Sequence, residues 1–129
     1  MSLEADFYSM ATGNADLSAL ISDRLFPLTL PLGTTLPAGV YQVISDTGEL
    51  IFGAGAGNLK RARIQVTWSA TQYSKVKAVA DAAEAALDGA DAANSIKTIW
   101  KESERDGYGT QSKVYTVRQD YMMWHDTNE

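Results

Sequence analysis

Glu102, Glu104, Asp106 and Asp120 could supply a catalytic carboxylate pair in this chain of 129 residues. Two carboxyls held roughly 5–9 Å apart in a cleft are what glycoside hydrolysis requires, one as acid and one as base or nucleophile. Three of the four fall within one polar, glycine-bearing stretch, Glu102 to Thr110, with Arg105 available for pairing. That context reads as a solvated connection between strands, and the carboxylates as surface charge.

The other candidates fare no better. Gly53, Gly55 and Gly57 suggest a phosphate loop. Such a loop opens directly into a helix and usually carries a Lys-Ser or Lys-Thr pair. Here a strand-like stretch follows and no such pair does, so a flexible hairpin tip is the favoured reading. His125 is the only histidine, and the chain contains no cysteine. A metal site would then rest almost wholly on carboxylates, and no nucleophile-elbow pattern supplies a partner for the imidazole. Catalytic, cofactor-binding and metal-binding residues are therefore all expected to be none.

Charge narrows the partners. A formal net charge of −5 opposes broad phosphate-driven binding of nucleic acid, which needs a basic surface. Lys60, Arg61 and Arg63 form one local basic strip, read here as a solvated strand face. No apolar run approaches the ~20 residues of a membrane span. Glu4 and Asp6 stand where a secretory signal would carry basic residues, so no signal and no membrane partner are expected.

The elements around these residues are legible from period and punctuation. Ala62, Ile64, Val66 and Trp68 alternate with Arg61, Arg63, Gln65 and Thr67, the period of a half-buried strand. Ser69 and Thr71 then offer oxygens to the first free amides of a helix from Gln72 to Asp88, which Gly89 ends. Val76, Val79, Ala80, Ala83, Ala86 and Leu87 form its inward face, with Lys75, Lys77, Asp81 and Glu84 on the wet side. Because half of that inward face is alanine, the axis can lie close to a sheet.

Earlier in the chain, Glu4 to Thr12 and Ala15 to Ser22 are helical, interrupted by Gly13 and Asn14. Phe7, Met10 and Ala11 face inward from the first, and Leu17, Leu20 and Ile21 from the second. Arg24 to Phe26 is a brief extended piece ended by Pro27. Strands are expected at Val40 to Ser45, before an Asp46-Thr47-Gly48 turn, at Leu59 to Trp68, at Ser95 to Lys101, and at Lys113 to Trp124. The expectation is one α+β domain over residues 1–129 with a mainly antiparallel sheet of about four strands. Two helical segments pack on it, in the order α-β-β-α-β-β.

Apolar material remains that a lone monomer does not explain. Leu28, Leu30, Leu32 and Leu36 lie on a segment broken by Pro31, Gly33 and Pro37, and Ile51 and Phe52 flank the glycine tip. Leu30, Pro31, Leu32, Leu36, Pro37, Ile51 and Phe52 are expected at protein–protein interfaces. Trp68, Trp100, Trp124, Tyr41, Tyr115 and Tyr121 all fall in strands and read as core or interface rather than base-stacking platforms.

The order of these features resembles the tail completion, or tail terminator, family of long-tailed bacteriophages and prophages. Leu17 and Leu20 precede Arg24-Leu25-Phe26-Pro27, followed by Leu36-Pro37 and Val40-Tyr41-Gln42. Arg61 to Trp68 leads into Ala70-Thr71, and Leu87-Asp88-Gly89 closes the helix. Glu104-Arg105-Asp106 and a strand with Tyr115, Arg118, Asp120, Tyr121, Trp124 and His125 complete the match. Gly107 and Gly109 depart from it, since bulkier residues are expected around Tyr108.

The resemblance implies a structural virion protein at the tail–neck junction, assembled in the bacterial cytoplasm. It implies a ring of identical subunits, commonly a hexamer, capping the head-proximal end of the tail tube. The implied partners are other copies of the chain, the tail tube protein and a head-side neck or connector protein. DNA would pass through the ring without sequence-specific recognition, and an acidic subunit suits such a channel. The family supplies no catalytic residue and no cofactor. The alternatives are another head–tail connector, a minor tail protein, or a small cytosolic hydrolase using Glu104 and Asp106.

Overall fold

The computed structural model describes residues 3–48, 59–88, 96–110 and 113–126. Two short helices, α1 (Leu3–Thr12) and α2 (Ala15–Ile21), lead into β1 (Leu25–Pro27) and β2 (Ala38–Gly48). Then follow β3 (Leu59–Ala70), α3 (Tyr73–Leu87), β4 (Ile96–Gly109) and β5 (Val114–Asp126). The sheet order is β1-β2-β3-β5-β4. β1 runs parallel to β2, and every other neighbouring pair is antiparallel.

The α+β class is as expected, but the details differ. There are five strands in a mixed sheet and three helices, instead of about four antiparallel strands and two helical segments. β1, three residues ending in Pro27, is too short to show a period. Its parallel pairing to β2 makes the sheet mixed. Asp46, Thr47 and Gly48 continue β2 opposite Ala62, Arg61 and Lys60, so they are strand residues and not a turn. Glu102 to Gly109 likewise belongs to β4, paired along β5. Its period is hidden because the residues on the helix side are charged, and because the register shifts between Lys101 and Ser103.

The helical layer covers one face of the sheet. Ala62, Ile64, Val66, Trp68 and Ala70 of β3 are buried there beside Val117, Gln119, Tyr121 and Met123 of β5. Val76, Val79, Ala80, Ala83 and Leu87 of α3 close over them, with Ala86 half-buried. Phe7 of α1 bridges the sheet, its ring centroid 5.9 Å from Tyr41 and 6.4 Å from Tyr121. The aromatics divide accordingly: Trp68 and Tyr121 are core, Trp124 and Tyr115 half-buried, and Trp100 exposed.

The caps differ from expectation. Asn14 starts α2, its Oδ1 accepting from the Leu17 amide at 3.0 Å. At α3 the capping position is Gln72, and no side chain caps the amides, so Ser69 and Thr71 do not play that part. β3 extends through Ser69 to Ala70 and leaves Thr71 and Gln72 to make the turn. The helix ends at Leu87; Gly89 lies outside the described residues.

Candidate assembly interface and the carboxylate cluster

The four carboxylates do not converge. Position alternation alone would place Glu102, Glu104 and Asp106 on one face. The irregularity between Lys101 and Ser103 instead sends Glu102 to the face without helices, where it pairs with Arg63. Asp120 is on that face too, accepting from Gln65 Nε2 and Ser103 Oγ at 3.2 Å each. Glu104 and Asp106 lie on the opposite face, beneath α3.

On the helix side, Lys77 Nζ stands 3.0 Å from Glu104 and 3.4 Å from Asp106. Lys101 Nζ lies 2.7 Å from Glu84 and 3.1 Å from Glu104. Lys77 and Glu84 are thus half-buried links between α3 and β4, not residues of a purely wet face. Tyr73 donates its hydroxyl to Asp106 at 2.6 Å, which holds the first turn of α3 to the same strand.

Gln119 anchors this network, and sequence reasoning missed it. Its Nε2 donates to Glu104 at 2.9 Å and to the Ala80 carbonyl at 3.0 Å. Its Oε1 accepts from Trp68 Nε1 at 2.9 Å and from the Tyr121 hydroxyl at 3.0 Å. A fully buried glutamine survives in the core because all its hydrogen-bonding capacity is used. The available signal was its position, between Val117 and Tyr121 on the inward face of β5.

The electrostatics oppose acid–base chemistry. The hydrogen bond from Gln119, then those from Lys77 and Lys101, lower the Glu104 pKa to about 2. The Lys77 ammonium is held well above its usual range, first by its hydrogen bond to Glu104. Burial chiefly pushes the Tyr121 hydroxyl up as well. A general acid at neutral pH needs a carboxyl whose pKa is raised towards about 6–7. Glu104 is shifted the other way, and its lone pairs are occupied by cations and amides.

The apolar segment between β1 and β2 has the opposite character. Leu28, Leu30 and Leu32 are 67%, 37% and 104% exposed. Pro31 is exposed, while Leu36 and Pro37 are half-buried at the root. Arg24 ties that root together: its Nε donates to the Pro37 carbonyl at 3.0 Å, and its Nη2 to the Leu20 carbonyl at 3.3 Å. The Gly39 amide bonds the Arg24 carbonyl at 2.9 Å, and the Leu28 amide the Tyr41 carbonyl at 2.9 Å. Thr34 closes a turn on Pro31, through its amide at 3.2 Å and its hydroxyl at 2.5 Å. The leucines are therefore displayed on a pinned arm. Ile51, Phe52 and the Gly53-Gly55-Gly57 run lie outside the described residues, and nothing is described of the His125 side chain.

Carboxylates held by ion pairs and hydrogen bonds thus lie on both faces of the sheet, beside an apolar arm with a fixed root. The family model described as tail completion protein gp17 matches residues 6–126, and the chain belongs to that family. It is a structural protein of the phage-type virion tail and not an enzyme. In fold it is similar to a chain of the solved "Virion of native gene transfer agent (GTA) particle". That likeness has a TM-score of 0.68 at 17% identity, over 97% of this chain and 95% of the other. No curated protein is significantly similar in sequence.

Proposed function

We propose that copies of this chain assemble head-to-tail into a ring, a hexamer in the virion. The ring caps the head-proximal end of the tail tube and presents its other side to the head or neck proteins. The observation that carries this reading is the arm at residues 28–37, on which Leu28, Leu30 and Leu32 are exposed while its root is clamped by Arg24. An exposed apolar segment held in a fixed shape favours association, because little conformational entropy remains to be lost on docking. Leu30, Pro31 and Leu32 form its contact surface, with Leu36 and Pro37 setting its angle. Ile51 and Phe52 supply a second apolar contact at a different point of the chain. Two unlike patches on one subunit suit a heterologous ring interface.

The test is to mix purified protein with preformed tail tubes and image them by negative-stain electron microscopy. The expected result is density at one end only and no further growth of capped tubes. Binding along the tube wall, or no binding, would overturn the capping role. The arm is tested separately by Leu32→Glu, which should abolish end-binding without changing thermal stability.

A further inference from the structure

The face of the sheet opposite the helices carries Arg61, Arg63, Arg105 and Arg118, four of the chain's five arginines. Arg63 is paired with Glu102 and lies 3.9 Å from Asp120. Arg105 and Arg118 differ from it. They lie directly opposite one another across β4 and β5, both exposed. Among the described residues neither has a carboxylate within ion-pair distance.

Like charges directly opposite on neighbouring strands destabilise a sheet. The same two side chains border a depression of about 100 Å³ with Asp106, Gly107 and Thr116; the Asp106 carboxylate is itself engaged by Tyr73 and Lys77 of α3. Gly107 keeps it open, since a Cβ there would stand 2.7 Å from Thr116 Oγ1. Gly107 thus leaves room beside the two guanidiniums.

We propose that Arg105 and Arg118 are a docking site for the acidic helical layer of a second copy of this chain. The inference rests on the ring reading and adds a charged contact to the apolar one. Two observations choose the occupant. Charge is complementary: the open face is basic in a chain of net charge −5, and the helical layer displays Glu4, Asp16 and Asp81 as exposed carboxylates. The open face also mixes signs, since Glu102 and Asp120 stand beside Arg63. A mixed face fits another protein surface better than the uniformly negative backbone of DNA. Because the two surfaces lie on opposite sides of one sheet, their contact is head-to-tail and closes into a ring or extends as a filament. Guanidiniums suit the role, as each can grip a carboxylate through two N–H donors.

The test uses two full-length variants in sedimentation experiments at low salt, with melting curves to show that both fold. One is Arg105→Glu with Arg118→Glu, and the other is Asp16→Lys with Asp81→Lys. Wild-type protein is expected to self-associate, and each variant alone to associate about tenfold or more weakly, a size set by desolvated charge pairs. An equal mixture of the two should assemble again, because each junction then joins opposite charges. Unchanged association of the arginine variant, no rescue in the mixture, or no association of wild-type protein would overturn the proposal. So would loss of binding to a short labelled DNA duplex with association intact. If Leu32→Glu abolishes assembly while the arginine variant assembles normally, the ring reading stands and this one falls.

Discussion

Gly39 of β2 lies directly opposite Trp68 of β3, and the indole occupies the space a side chain at position 39 would need. A Cβ there would fall 2.5 Å from Trp68 Cε3 and 3.1 Å from Leu25 Cδ1. The tryptophan is fully buried, and its N–H is committed to Gln119, so it cannot swing aside without breaking that bond. Gly39→Ala is therefore expected to destabilise the protein by about 1–3 kcal/mol through overpacking. Thermal or urea unfolding would measure this, and an unchanged midpoint would show that the ring has room to move.

Gln119→Leu keeps nearly the same volume but removes four hydrogen bonds. Trp68 Nε1, the Tyr121 hydroxyl, the Ala80 carbonyl and one side of Glu104 lose their partner. Buried polar groups left unsatisfied carry a penalty of about 1–3 kcal/mol each, only part of which relaxation recovers. The expected loss in urea denaturation is at least about 2 kcal/mol. A neutral result would mean that water reaches the cluster.

The Glu104 network predicts the shape of the acid limb. The folded-state pKa of this carboxyl is lowered from 4.5 to about 2. Its contribution is thus fully present above about pH 4.5 and is lost as the pH falls towards 2. Linkage gives this a size of about 1–3 kcal/mol. Glu104→Gln should lower the Tm at pH 7 and show a shallower fall in Tm between pH 4.5 and 2.5 than wild type. Parallel curves would assign acid sensitivity elsewhere.

Ala83→Leu probes how closely α3 approaches the sheet. Ala83 and Ala80 are fully buried under the helix, and Ala80 also offers its carbonyl to Gln119. Extra methylenes there force the helix outward and strain the Lys77 and Lys101 ion pairs, at about 1–3 kcal/mol. The measurement is again a melting curve, and no change would refute that assignment of the face.

Leu32→Glu should separate folding from assembly. The side chain makes no use of its own core, being 104% exposed, so stability is expected to stay within about 0.5 kcal/mol. Association and tube-end binding should both fail. A variant that melts early instead would place Leu32 in the folding of the arm.

Period and punctuation in the sequence by themselves determined the inward faces of β3 and α3, because burial of one side imposes periods of 2 and 3.6. Ala62, Ile64, Val66 and Trp68 alternate for that reason, and Val76, Val79, Ala80, Ala83 and Leu87 recur at helical spacing for the same one. The broken leucine segment was legible in the same way, since Pro31 and Pro37 rule out a ladder while the leucines ask to be covered. Only the tertiary structure decided the fate of the charges. A carboxylate written among polar residues looks solvated, yet Glu104 lies under a helix between two lysines 24 positions apart. A single register shift separates Glu102 from it onto the other face. Pairing across such distances leaves no local pattern, because an ion pair depends on where strands and helices meet and not on the spacing of residues along either one.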